Sequence, residues 1–208
     1  ETIGELANAS EALLIKYFGA IGKDLREHAN GIDDSDIREK YIPKETSLSN
    51  GQSLFRDYAR SEMPTIIREM SDDLALRLHL EGKKTGLVAL GIGYSYSFGG
   101  GFSRQLTLVK STSENDLIFD GLITLFRKFC EDKPIRRVDI SFGKLSFDDF
   151  EQLDLFDEKN KQTNKRELRK ALDEIVLRFG RDAVLRGSAL LEESNAIKRH
   201  AQIGGHRK

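Results

Sequence analysis

Gly19 and Gly22 bracket Ala20 and Ile21, and Lys23 follows at once. A glycine, an apolar residue and a second glycine opening a helix is a spacing that aims backbone amides outward, where the helix dipole favours an anion. Lys23 adds a positive charge to the same spot. The chemistry on offer is capture of a phosphate. An ordinary helical hairpin would use the same residues, so the spacing leaves both readings open.

A second group spreads over residues 83–110, KKTGLVALGIGYSYSFGGGFSRQLTLVK. Val88, Leu90, Ile92 and Tyr94 share one parity, and Ala89, Gly91, Gly93 and Ser95 take the other. After a turn at Gly99, Gly100 and Gly101 the alternation resumes, with Leu106 and Leu108 against Gln105 and Thr107. One face can roof a core. The other is flat, small and polar, and glycine inside a strand often marks close approach of another backbone or a ligand. Lys83, Lys84, Arg104 and Lys110 lie in this stretch with no acid among them. A bare, positive sheet face suits a polyanion; a merely solvated face would look the same. Lys44, Ser47, Ser49 and, in a later strand, Arg137 extend the set, since hydroxyls, amides and cations on an open sheet are typical phosphate contacts.

The third group is the peptide QLDLF, Gln152 to Phe156, inside a stretch from Asp148 to Glu158 that holds six acids and no base. A charged segment exposing Leu153, Leu155 and Phe156 makes a poor core element and a good docking peptide. Residues for bond-making chemistry are harder to find. Asp72 and Asp73 sit side by side on a helix pattern and read as solvated surface. GIGYSYSFGGG lacks the Gly-Lys-Ser/Thr ending of a phosphate-binding loop. Cys130 and the four histidines show no metal-ligand spacing, and Cys130 on an apolar helix pattern reads as a buried small hydrophobe in a reducing compartment.

These groups need elements to hold them. Residues 10–31 read as two short helices around the glycine turn, the first capped by Ser10; TIGELA at Thr2 to Ala7 looks like the tail of a similar hairpin, and the opening ETIGELANAS like the interior of a longer protein. Residues 32–42 carry four acids ahead of Pro43, a boundary signal. A strand over 46–55 comes next, then an amphipathic helix over 61–81 with Met63, Ile67, Met70, Leu74 and Leu78 on one stripe. The two strands of 83–110 follow, then a helix over 114–129 and a strand over 136–142. The fold class is α+β: a small helical segment, then β-α-β-β-α-β giving a four-stranded sheet with two helices on one face, plus a C-terminal helix at 167–179 ended by Gly180. The domains expected are 1–34, 43–147, an acidic linker at 148–164 and a C-terminal part at 165–208 whose end, KRHAQIGGHRK, reads as a flexible basic tail.

The formal net charge of −1, with 38% hydrophobic and 32% charged residues, fits a globular chain and argues against a generic basic DNA binder. The average conceals a pattern. The strand segments 44–55, 83–110 and 133–144 hold nine Lys and Arg against two acids, and the helix segments 56–82 and 114–132 hold six against eleven. A sheet with helices on one side would then be positive on its open side. No apolar run approaches the length of a membrane span, so no membrane partner is expected.

Taken together, SEALLIKYFGAIGKDLREHANGID, GYSYSFGGGFSRQLTL, QLDLF and the ending SNAIKRHAQIGGHRK resemble the C-terminal part of Y-family translesion DNA polymerases, the UmuC/ImpB/MucB/SamB-like branch. The first would be the thumb's helix–hairpin–helix and the second the paired strands of the little finger. Where that family shows a Lys-Ser-Ile-Gly run, this chain has Thr46-Ser47-Leu48-Ser49, so Ser49 replaces the glycine. The resemblance implies double-stranded primer–template DNA as partner, held by Gly19, Gly22, Lys23, Lys44, Ser47, Ser49, Lys84, Ser95, Arg104, Gln105 and Arg137. It implies a bacterial sliding clamp bound through Gln152, Leu153, Leu155 and Phe156, and a cytoplasmic setting. The family's palm carboxylates, which hold Mg2+, have no match here, so no catalytic residue and no cofactor is expected in this chain. A helix–hairpin–helix DNA-repair accessory protein is the other reading. A sheet that stacks single-stranded RNA is a third, favoured only if Tyr94 or Tyr96 faced outward from the middle of the sheet.

Overall fold

The computed structural model describes residues 2–34, 38, 47–147 and 159–201, with side chains in the last stretch from Glu167 onward. The chain divides into two compact units, Glu1–Pro43 and Lys44–Lys208. The first holds three short helices, α1 (Ile3–Asn8), α2 (Glu11–Phe18) and α3 (Ile21–Ala29). A capping box starts α1: the Thr2 hydroxyl accepts from the Glu5 N–H at 3.2 Å, and the Thr2 N–H donates to Glu5 Oε2 at 2.9 Å. Ser10 stands at the N-cap of α2, but its side chain makes no cap bond there. Its carbonyl instead accepts from Leu13 and Leu14. α2 and α3 pack against each other across Gly22, where a methyl group would strike the backbone of Leu14.

The second unit runs β1 (Leu48–Tyr58), α4 (Met63–Leu80), β2 (Lys83–Tyr94), β3 (Gly101–Thr112), α5 (Asn115–Phe129) and β4 (Ile135–Phe147). Then come α6 (Lys159–Phe179), a single 3-10 turn at Gly187–Leu190 and α7 (Ala196–His200). The sheet order is β1-β4-β2-β3 with every neighbouring pair antiparallel. β1 and β2 are therefore parallel with β4 between them, and β3 and β4 are parallel with β2 between them. The two crossovers interleave. The second runs back across the sheet on strands of reversed direction, so the usual right hand of both puts α4 and α5 on one face. This is the α+β arrangement the sequence implied, with longer strands: β4, expected over 136–142, runs from Ile135 to Phe147.

The core lies between that face and the two helices. Met63, Ile66, Ile67, Met70, Leu74 and Leu78 of α4 are fully buried, as are Ile118 and Leu122 of α5. They meet Val88, Leu90 and Ile92 of β2 and Val138, Ile140 and Phe142 of β4. Each such side chain contributes roughly 1.5–3 kcal/mol by leaving water. Tyr94 belongs to this face, its hydroxyl accepting from the Glu131 N–H at 2.9 Å. Tyr96 lies beyond the end of β2, in the turn. Neither tyrosine therefore offers a stacking platform in mid-sheet.

α6 starts eight residues earlier than the periodicity from Glu167 suggested, at Lys159. It meets the helix-covered side through polar contacts: Asp173 Oδ2 lies 2.9 Å from His79 Nδ1, and Arg169 Nη1 donates to the Ser113 carbonyl at 3.2 Å. Leu168, Ile175 and Phe179 of its apolar stripe stay exposed. A cavity of about 730 Å³ separates α6 from α4 and the start of α5.

Candidate nucleic-acid interface

Registers across the four strands define what the uncovered face presents. Ser49, Gly51 and Ser53 of β1 stand opposite Ser141, Asp139 and Arg137 of β4. These in turn face Ala89, Gly91 and Gly93 of β2, whose other neighbours are Gln105, Ser103 and Gly101 of β3. Among the described residues no helix of this unit packs on that side. The surface is a floor of hydroxyls, one amide and bare backbone, with Leu87 and Thr107 at one end. A smooth face with hydroxyl and amide donors can lie close along a phosphate backbone without reading bases.

Its charge differs from the expectation. Along these rows the single cation is Arg137 and the single acid is Asp139, and they neutralise each other. Arg137 donates Nε to Asp139 Oδ2 at 2.8 Å and Nη2 to Oδ1 at 2.9 Å. That hydrogen-bonded carboxylate raises the guanidinium above its ordinary pKa. Lys144 adds a charge at the Leu87 end, its Nζ 3.4 Å from the Thr107 hydroxyl. Sequence reasoning passed over Lys144 because the strand was expected to end at Phe142, whereas β4 runs on to Phe147. The positive φ of 50° at Lys144 is not visible in the residue type.

The residues expected to line this face separate into groups. Ser47, Ser49, Gln105 and Arg137 are exposed, and Ser49, Gln105 and Arg137 lie on the uncovered side. Arg104 does not: it pairs with Leu90, shares the parity of Leu106, and lies over the Phe129 ring of α5 at 5.4 Å. Lys84 lines the cavity on the helix-covered side, together with Asp72 and Asp73. Ser95 is buried, its hydroxyl donating to Asp57 Oδ2 at 2.7 Å. Lys44 and the peptide residues Gln152, Leu153, Leu155 and Phe156 lie outside the described residues. The positive open side read from segment totals is thus corrected: strand cations alternate between faces, and counting by segment cannot tell which.

In the first unit, Gly19 takes a φ of 68° and turns the chain between α2 and α3. The amides of Gly22 and Lys23 close that turn onto the carbonyls of Gly19 and Ala20, at 2.9 and 3.4 Å. Lys23 stands 3.5 Å from Glu27. Ile21 is exposed at the tip. A glycine turn thus joins α2 to α3, and two of the amides expected to capture a phosphate are engaged in it.

Asp72 and Asp73 are not solvated surface. Asp72 receives Arg186 Nε at 2.6 Å and Asn115 Nδ2 at 2.8 Å. Asp73 binds Arg199 and lies 3.3 Å from His200 Nε2. Glu69, one turn earlier on α4, accepts from the Ser194 hydroxyl at 2.6 Å. Burial raises the Glu69 carboxyl above its ordinary pKa against these bonds. α4 thus offers a carboxylate row on which residues 181–200 dock, and the part of the basic end up to His200 is held there. Among the described residues no group of three or more His, Cys, Asp or Glu is arranged to hold a metal ion.

The sequence profile of the impB/mucB/samB family C-terminal domain matches residues 45–155, the sheet unit with its linker. The chain belongs to that family. Within it, the chain is 35% identical over 208 residues to the putative UV-damage repair protein UvrX of Bacillus subtilis, covering 99% of this chain and 50% of that protein. It is 33% identical over 210 residues to DNA polymerase IV 2 of the same organism, covering 100% of this chain and 50% of the polymerase. The DNA repair protein homolog YobH of B. subtilis is 37% identical over 134 residues, or 64% of this chain and 62% of that protein. The chain thus spans about half the length of the first two. The match to the C-terminal domain of the Y-family, which the four sequence signatures resembled, is thus shown. Among the described residues no helix is long and apolar enough to cross a membrane.

Proposed function

We propose that this chain is the DNA-gripping C-terminal part of a lesion-bypass polymerase, working in the cytoplasm. Residues 1–34 act as the thumb's helix–hairpin–helix, 43–147 as the little finger, 148–164 as an acidic linker with the clamp peptide, and 165–208 as a C-terminal brace. The observation that carries this reading is the sheet face of Ser49, Ser141, Ala89 and Gln105, uncovered while the other face is packed. It lies along the backbone of primer–template duplex, positioning without reading sequence, as copying of any template requires. The hairpin at Gly19 to Lys23 holds a phosphate further along the duplex. QLDLF tethers the protein to a sliding clamp, with Leu155 and Phe156 in an apolar pocket and Gln152 at its rim; tethering raises the local concentration at the template. Nucleotidyl transfer and its Mg2+ belong to palm carboxylates of the whole protein.

Duplex binding measured by fluorescence anisotropy tests the reading. Gln105→Glu with Ser49→Glu places two carboxylates on the proposed face and weakens binding about tenfold or more at low salt, where each phosphate contact counts. Arg104→Glu, on the helix-covered side, has the smaller effect. Equal binding by all three proteins rules the face out. Replacing Leu155 and Phe156 by alanine abolishes clamp pulldown with duplex binding intact; persistent pulldown rules out the tether.

A further inference from the structure

The face proposed to meet a polyanion carries a carboxylate at its centre. Asp139 lies on β4 between Gly51 of β1 and Gly91 of β2, in register with both. A methyl at Gly51 would collide with its carboxylate, and one at Gly91 would stand 3.2 Å from its Cβ. Both neighbouring strands are reduced to backbone around this side chain. One step along, Arg137 lies between Ser53 and Gly93, where a methyl at Gly93 would come within 3.1 Å of its Cβ. The two side chains share a face because they are two residues apart on one strand.

The pair uses the same guanidinium geometry that a phosphate would. A guanidinium presents two parallel N–H groups to a carboxylate or a phosphate alike. Here those two groups, Nε and Nη2, are spent on Asp139. The bond is exchangeable, since the side chains are 60% and 43% exposed and water screens such surface pairs.

We propose that Asp139 is a built-in attenuator of the DNA-binding face, holding the Arg137 fork in reserve and yielding it to a backbone phosphate at the cost of leaving its own charge beside the duplex. The inference rests on the open face being the interface. It explains why a surface so well shaped for a polyanion carries no net charge along its paired rows. A grip weakened in this way lets the duplex slide between steps of synthesis.

Asp139→Asn keeps the size and frees the fork. In the anisotropy titration it tightens duplex binding about three- to tenfold and steepens the slope of log K against log salt by close to one phosphate's worth, ~0.9. In the Arg137→Gln background the same change gives a clearly smaller gain, that of removing one carboxylate from the face, because there is no fork to release. Asp120→Asn, removing an acid from the exposed side of α5, stays near the parent and controls for net charge. Unchanged or weaker binding by Asp139→Asn, while Gln105→Glu still weakens it, overturns the attenuator and leaves the interface standing. A gain equally large in Arg137→Gln also overturns it, since the effect is then the lost carboxylate charge alone. If Gln105→Glu, Ser49→Glu and Asp139→Asn all bind as the parent does, the interface itself is wrong and the inference falls with it.

Discussion

His200 of α7 and Asp73 of α4, 127 residues apart in sequence, are joined through His200 Nε2 and Asp73 Oδ1 at 3.3 Å. The other ring nitrogen, Nδ1, lies 2.6 Å from Asp182 Oδ1. An imidazole with a carboxylate at each nitrogen is favoured in its doubly protonated form, which donates to both. The bond to Asp73 and then that to Asp182 raise the His200 pKa against its burial. Burial pushes the Asp73 carboxyl up, but the bond from His200 and the charges of Arg199 and Arg181 outweigh it and hold it below the ordinary range.

The signs give a pH window for the docking of residues 181–200. His200 has a folded pKa above its usual 6.5, so its contribution is complete below that pH and is lost as pH rises through the raised value. Asp73 has a folded pKa below its usual 3.8, so its contribution is present above that pH and is lost in strong acid. The segment is held best between these limits. Hydrogen exchange of amides 181–200, corrected for intrinsic rates, is expected to lose protection several-fold from pH 6 to pH 9, while β2 and β4 stay protected. In His200→Gln the loss disappears and protection is low throughout. A pH-independent parent would show that His200 is neutral in this site.

Gln52 supports a second prediction. It stands on β1 between Leu48 and Leu54, on the core side, paired with Val138 and only 9% exposed. Neither its amide oxygen nor its nitrogen has a hydrogen-bond partner among the described residues. A buried amide without partners costs about 1–3 kcal/mol, and a thioether of similar length carries no such penalty. Gln52→Met is therefore expected to raise the thermal midpoint by a few degrees, as a gain of about 1 kcal/mol does in a chain of this size. A fall of similar size would reveal a partner for the amide, such as a bound water.

How much of this was legible in the sequence depended on where the partners lay. Val88, Leu90, Ile92 and Tyr94 fixed the core face of β2 because a central strand buries alternate residues almost completely. Arg104 was misplaced because β3 is an edge strand, where residues of both parities keep solvent access and exposure no longer separates the faces. Parity still did, through Leu106 and Leu108. Asp139 entered only as one of the two acids in the strand totals, yet it cancels Arg137 on the very face in question. Asp72 and Asp73 read as surface because Arg186 and Arg199 reach them from more than a hundred residues away, where no periodicity points.

Ser95 gives the last prediction, and it separates a structural hydroxyl from a ligand-binding one. The parity of Ala89, Gly91 and Gly93 would carry it onto the open face, but the register with β4 shifts between Gly93 and Tyr94 and turns it inward. There its hydroxyl meets Asp57, whose other oxygen lies 3.6 Å from Arg136 Nη1. Its N–H donates to the Pro134 carbonyl at 2.8 Å, and its carbonyl accepts from Phe98 and Gly99, each at 2.9 Å. One residue thus ties the β2–β3 turn to the ends of β1 and β4. A hydrogen bond to a carboxylate contributes about 1.5–3 kcal/mol, and Arg136 compensates the orphaned Asp57 in part. Ser95→Ala is expected to cost stability near the lower end of that range in a denaturant titration with unchanged m-value. Duplex affinity well below the denaturation midpoint stays at the parent value, since the hydroxyl faces Asp57 and not the solvent. Lost affinity at full stability would put the hydroxyl on the DNA instead.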